Sequence, residues 1–296
     1  MWSANYPLAL DCRAVQAGTN NEHLSSADFL SLVSRFVWTA HNFLPHESVF
    51  KDDFLARKLL VENCDTVIAL NQEICELIRD SFHPKRISLI PAAEPGLKHR
   101  PDREAVRSRL GIPNSKLHFC ALGHVRPYKG PDIYLKSLLN HVSKNRFSLA
   151  GSTNDDHYES EIIELGKQLT ASGIDLDLQI KFLSDLELEE YLVASDFLVC
   201  PFRQISNSGI INLALENGIP LVLPDLPSLN WVPRESAIWY QAESAELGLS
   251  NAISEAEKLT FEARESMALA GQEFMQFRGW DNYVARHIEI YQDLIQ

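Results

Sequence analysis

LHFCALGHVRPYKG, residues 117–130, decides how the rest of the chain is read. Its first half is a short continuous apolar run ending in glycine, as expected of a strand buried on both faces. The second half, GHVRPYKG (123–130), has a glycine at each end and two cations, Arg126 and Lys129, at its tip. Glycines there allow a tight loop that approaches a ligand closely. The next residues, from Pro131, read as a helix with proline in its favoured first turn. In open α/β sheets, loops of this kind at the carboxyl ends of strands form the ligand crevice. Two cations there suit a diphosphate, Arg126 as a planar fork and Lys129 as a compact charge. On spacing alone, a solvated turn with ordinary surface charges accounts for the loop equally well.

Working outward, apolar runs alternate with amphipathic stretches, the pattern of a parallel sheet covered by helices. RFSLAG (146–151), DLQIKFL (177–183), FLVCPF (197–202), IPLVLP (219–224) and AIWYQ (237–241) read as strands, giving six with 117–123. Helices are expected over 158–171 and 186–194, and the tail from Ser244 reads as almost wholly helical. Upstream, 36–40, 66–70 and 86–91 read as strands, with helices near 53–63 and 71–81, the second capped by Asn71. Residues 91–102 hold three prolines, a glycine and several charges, and read as an interdomain linker.

Composition bounds the function. A chain of 296 residues accommodates one large or two modest α/β domains, and 45% hydrophobic residues permit a full core. A net charge of −13 argues against nucleic acid as partner, though not against a local basic cleft. Cys12, Cys64, Cys75, Cys120 and Cys200 lack metal-ligand spacing and read as reduced core cysteines of a cytoplasmic protein. Met1–Leu10 has neither the basic flank nor the apolar stretch of a signal peptide, and no apolar run is long enough to span a membrane.

Two further passages gather polar groups after strands. In NSGIINLALENG (207–218), Asn207 or Ser208 can cap a helix whose first turn contains Gly209. Free N–H groups and the helix dipole there attract anions, and glycine leaves room for a phosphate; an ordinary capped helix reads the same way. WTAHNFLPHE (38–47) brings His41, Asn42, His46 and Glu47 to a strand end. A metal site from His41, His46 and Glu47 fits no helical zinc spacing. An acid/base or positioning role for His41 competes with a purely structural one. The acidic stretch 185–190 reads as a solvated helix start, and the basic stretches HPKRIS (83–88) and KHRPDR (98–103) as solvated loops.

Taken in order, VWTAHNFLPHES (37–48), GHVRPYKG (123–130), SLAG (148–151), CPFRQISNSGIINLALENGIPLVLPDL (200–226) and WDNYVARHIEIYQDLI (280–295) resemble bacterial family-4 glycosyltransferases of the GT-B fold, in the branch associated with cell-surface polysaccharide assembly. The resemblance implies two Rossmann-like domains with parallel sheets. These would be a shortened acceptor-side domain over 1–95, a nucleotide-sugar domain over 103–278, and a last helix, 279–296, crossing back to the first domain. It implies transfer of a sugar from a nucleoside-diphosphate sugar to a glycan or lipid-linked acceptor, with retention of configuration and no bound metal or cofactor. His41, Arg126 and Lys129 would be catalytic. Gly123, Arg126, Lys129, Asn207, Ser208 and Gly209 would hold the nucleotide sugar.

The chain departs from that family at several points. Ile205 and Leu213 stand where many members carry a glutamate pair, with Glu216 nearby. His124 replaces the basic residue often found directly after the loop glycine, and Ala92 and Ala93 replace a polar residue and a glycine. Residues 1–35 show no first strand with a glycine-rich loop. A homodimer or partner chain completing the first domain is therefore expected, because a sheet edge left open is normally covered. Peripheral contact at the inner membrane face fits a lipid-linked acceptor. The rival readings are a non-catalytic homologue that binds nucleotide sugar and supports a partner transferase, and a sugar-nucleotide epimerase or hydrolase.

Overall fold

Three runs rich in β-branched residues form a small parallel sheet: β1 (Val37–Ala40), β2 (Thr66–Ala69) and β3 (Ile87–Leu89), in the order β1-β2-β3. The structure is a computed structural model and describes residues 35–45 and 48–295. The central strand β2 is buried throughout, which explains its unbroken TVIA sequence. Two helices cover one face, α1 (Asp53–Asn63) and α2 (Gln72–Phe82), through Val61, Ile74 and Ile78. Asp52 and the expected Asn71 cap them, their carboxylate and amide oxygens accepting from Leu55 N (2.9 Å) and Ile74 N (2.7 Å). The other face carries the C-terminal helix, Trp280–Ile295, whose Ile290 packs with Ile68 and Ile90. These elements belong to one compact unit, made of the described residues up to Ala92 and from Tyr283 on; Ala93–Asn282 forms the other.

In the larger unit β4 (His118–Leu122) is buried at every position. It is joined by β5 (Arg146–Gly151), β6 (Asp175–Ile180), β7 (Phe197–Val199), β8 (Leu221–Pro224) and β9 (Ala237–Tyr240). All pairings are parallel, in the order β6-β5-β4-β7-β8-β9. The chain builds outward from β4 to β6, then returns to the other side of β4 with β7. That reversal is a topological switch point between β4 and β7.

Alternation along the strands sends side chains to two cores. Phe119, Phe147 and Phe197 lie on one face, with ring centroids 5.4 Å and 5.2 Å apart around Phe119. Each fully buried phenylalanine stabilises the unit by roughly 1.5–3 kcal/mol. Between β3 and β5 the helices are α3 (Arg103–Arg109) and α4 (Pro131–Leu138); α5 (Asp156–Ala171), α6 (Asp185–Ala194), α7 (Gly209–Glu216), α8 (Ala245–Ala256), α9 (Phe261–Gln276) and the C-terminal helix, α10, follow. Helices α4, α5 and α8 pack on the phenylalanine face. Helices α6 and α7 pack on the other, against Cys120, Leu122 and Leu198.

Several sequence expectations shift for identifiable reasons. β6 occupies 175–180 rather than 177–183, because Ser184 and Glu187 form a reciprocal capping box that draws the chain out of the sheet. Helix α3 was not expected; Asp102 caps it through Ala105 N. The acidic stretch 185–190 is not simply solvated, since Glu189 is buried and accepts the backbone N–H groups of Lys98 (2.7 Å), His99 (2.7 Å) and Arg100 (3.1 Å). Nor is KHRPDR a solvated loop: Arg103 donates to the Val193 and Ser195 carbonyls and to Asp196. Residues 93–102, expected as a linker, thus fold onto the larger unit. Cys64, Cys75, Cys120 and Cys200 are free and buried, while Cys12 lies outside the described residues.

Candidate functional site

The loop after β4 and the loop after β7 meet at the switch point, and their sequences dictate how closely. Gly130 adopts φ +66°, and a Cβ there would fall 1.9 Å from the Pro201 carbonyl oxygen. Gly151, at the end of β5, packs against the carbonyl of Gly123 so tightly that a Cβ would fall 1.7 Å from it. Neither position tolerates a side chain without moving backbone. Arg203 then staples the two loops together. Its guanidinium donates to both Asp132 oxygens (2.7 Å each) and to the Pro127 carbonyl (2.6 Å), while its backbone N–H donates to Tyr128 O (2.9 Å). Tyr158 and Lys136 also donate to Asp132. These donors hold the Asp132 carboxyl well below the usual carboxylate range, against a burial effect that works the other way.

Within this frame the loop turns through a short 3₁₀ segment, Pro127–Lys129, which aims Lys129 back along Gly123. Its Nζ lies 3.3 Å from where a Cβ on Gly123 would be. Gly123, His124, Lys129, Pro131, Pro201 and Phe202 bound a crevice at this point. Burial lowers the Lys129 pKa, with Cys200 the sole opposing influence. The ammonium has neither ion pair nor hydrogen bond to any described residue. Desolvation first, then the fields of Lys129 and Arg126, lower the pKa of the His124 imidazole.

Helix α7 begins at the same edge of the sheet, one loop after β7. Ser208 is its N-cap residue by backbone geometry but makes no side-chain cap bond, and Asn207 lies just outside the helix. The room expected above Gly209 is not empty. The carboxylate of Glu94 fills it, its Oε1 2.3 Å from where a Cβ would sit. At the positions of the missing glutamate pair, Ile205 is buried in the apolar core and the partly buried Leu213 packs against it.

The structure thus places Gly123, Arg126, Lys129, Asn207, Ser208 and Gly209 on the loops and helix start at the carboxyl edge of the six-stranded sheet. His41 belongs to the other unit, exposed directly after β1, where desolvation lowers its pKa. His46 and Glu47 lie outside the described residues, and among the described residues no cluster of potential metal ligands occurs. Sequence reasoning missed Glu94, Asp132 and Arg203. Arg203 stands inside the quoted passage 200–226, but its partner Asp132 is 71 positions away, beyond any local pattern.

No protein-family model matches the chain. Its backbone superposes on sucrose-phosphate synthase from Thermosynechococcus elongatus with a TM-score of 0.76 at 20% identity, covering 88% of this chain and 68% of that one. It superposes equally well, at 0.76, on Anabaena Alr3699/HepE in complex with UDP and glucose, at 16% identity over 91% and 73% of the two chains. The fold is that of GT-B glycosyltransferases. In sequence the chain is 27% identical over 189 residues to a D-inositol 3-phosphate glycosyltransferase from Corynebacterium efficiens, a match covering 57% of this chain. That match spans 42% of the relative's length. No helix among the described residues is long and apolar enough to cross a membrane.

Proposed function

We propose that the protein is a family-4-like glycosyltransferase that moves a hexose-type sugar from a nucleoside-diphosphate sugar to a glycan or lipid-linked acceptor in cell-surface polysaccharide assembly. The observation that carries this reading is Lys129, a desolvated ammonium without a counter-charge among the described residues, set against a glycine at the switch point of the sheet. A diphosphate supplies the missing anion. HepE, solved with UDP and glucose and with UDP-glucose, lends support by its fold.

In this reading Arg126, Lys129 and the backbone of Gly123 take the diphosphate, and Asn207, Ser208 and Gly209 approach the phosphate or sugar at the start of α7. Breaking the sugar–phosphate bond builds charge on the leaving group. Donors already aimed at it lower the barrier, and losing one costs roughly 10²–10³ in rate. Basic side chains thereby do the work that a metal ion does elsewhere, and retention of configuration is the expected outcome. His41 acts from the acceptor-side domain. A cytoplasmic location with peripheral contact at the inner membrane face suits a lipid-linked acceptor, and a second copy or a partner chain would complete the first sheet.

Thermal unfolding with UDP-, GDP- and dTDP-sugars tests the reading. A ligand at 100 times its Kd raises stability by about 2.7 kcal/mol. Stabilisation of the wild type but not of Arg126→Ala or Lys129→Ala, followed by sugar transfer in an acceptor screen, is expected. One observation favours a second reading. Apolar residues stand where many relatives carry glutamates, Ile205 buried in the core and Leu213 packed against it, so a non-catalytic nucleotide-sugar-binding homologue that supports a partner transferase would bind a donor without turning it over.

A further inference from the structure

Glu94 poses a problem that the diphosphate site alone does not answer. Its carboxylate lies on Gly209 in the first turn of α7, in a space that only glycine leaves open. A carboxylate at a helix start ordinarily caps it by accepting N–H groups. Glu94 does not, for it takes no hydrogen bond and no ion pair from any described residue. Burial raises its pKa, and the field of Glu216 on the same helix raises it further, so the group is partly withdrawn from water without compensation. A partly desolvated acceptor with no donor is costly.

Nor is Glu94 loosely held. Three residues on, Leu97 is buried in the core beside Ile211 and Ala214. Beyond it, Glu189 fixes the backbone of Lys98, His99 and Arg100. Between them Gly96 turns at φ +79°, close against the Glu216 carboxylate. The chain therefore presents a positioned, unsatisfied acceptor at the edge of the sheet where Lys129 presents an unsatisfied cation. A second anion cannot satisfy Glu94, and no cluster of three potential metal ligands stands among the described residues. Hydroxyl groups can. A ligand with a diphosphate at one end and a polyhydroxylated ring beside it meets both demands.

We infer that Glu94 is a specificity-determining residue that accepts hydrogen bonds from hydroxyls of the sugar portion of a nucleoside-diphosphate sugar. This rests on the proposed diphosphate site and assigns the sugar-reading group within it. A site built to hydrogen-bond a substrate hydroxyl rejects an analogue that lacks it far more strongly than an apolar pocket does.

Isothermal titration separates the two parts. Bare UDP, GDP and dTDP are compared with their glucose, galactose, mannose and N-acetylglucosamine conjugates, on wild type, Glu94→Gln and Glu94→Asp, with circular dichroism confirming that each is folded. The expected result is that one sugar binds the wild type more tightly than its bare diphosphate, and that Glu94→Gln removes roughly tenfold of that difference while leaving the diphosphate itself within twofold. Glu94→Asp keeps part of the difference. The inference is overturned if no sugar improves on its diphosphate, if Glu94→Gln leaves the difference intact, or if it weakens or tightens both ligands alike. Failure of every nucleotide to bind the wild type would instead remove the diphosphate site on which it rests, and the inference with it.

Discussion

Two loops leave the carboxyl ends of parallel strands at candidate functional positions, one after β1 and one after β4, and they are held in contrasting ways. The β4 loop is tied from outside itself. Gly123 N donates to Ala150 O (3.1 Å), Val125 N to Ser152 O (2.8 Å), and Arg203 clamps Pro127 and Asp132 from the neighbouring loop. The β1 loop, where described, rests its first half on the core through Phe43, which stacks on Phe82 (ring centroids 5.2 Å apart), and is tied only locally in its second half. Asp53 gathers the Ser48 hydroxyl and the Val49 and Phe50 N–H groups at the surface, while Val49 and Phe50 remain about half exposed, at 51% and 52%. A ligand of fixed shape, such as a diphosphate, rewards the first arrangement, because preorganised groups lose little freedom on binding.

The sharpest way to break this contrast is through Gly151. Alanine there has to displace the Gly123 carbonyl, so Gly151→Ala is expected to cost about 3 kcal/mol in urea unfolding and to abolish nucleotide binding. Unchanged stability would mean that the β4 loop is not held as described. Next comes His41. If the β1 loop serves the acceptor side, His41→Asn lowers the transfer rate by about 10², within the range of acid/base catalysis, and leaves nucleotide affinity within twofold. Equal losses in both would erase the division of labour.

Arg203→Ala is a smaller perturbation because the guanidinium is partly exposed, at 44% of its side chain. It should cost about 1–2 kcal/mol in stability and roughly tenfold in nucleotide affinity, read by chemical unfolding and titration. Asp132 gives this staple its pH dependence. Its pKa is depressed in the folded protein, so the stabilisation is complete above the unfolded carboxyl value near 4 and is lost only as pH falls toward the depressed one. Smallest of all is Arg86→Ala in the other unit, which removes an exposed pair with Asp293 (3.0 Å) and should change stability by less than about 0.5 kcal/mol.

Much of the fold was legible in local pattern. RFSLAG and the helix over 53–63 fall where the sequence places them, because strand burial and the Asp52 cap are local effects. Boundaries failed where a cap intervened, as Ser184 and Glu187 did after β6. The loop after β4 was visible as a motif because Gly123, Arg126, Lys129 and Gly130 lie within eight residues. The groups that shape it were not. Arg203 finds Asp132 across 71 residues, and Glu94 meets Gly209 in a distant part of the chain. Such contacts follow from tertiary packing and leave no period in the sequence.

The most direct measurement is the calorimetric titration of a nucleoside diphosphate into the wild type and Lys129→Met, at neutral pH and near pH 10. Burial lowers the Lys129 pKa below the ordinary lysine value of about 10.4, and only the charged form attracts a diphosphate. Wild-type affinity should therefore fall as pH rises toward 10, with proton uptake on binding. Lys129→Met should bind roughly 10–100 times more weakly at neutral pH, with a flatter profile. Equal affinity for the two proteins at neutral pH would contradict the placement of the anion site at the switch point between β4 and β7.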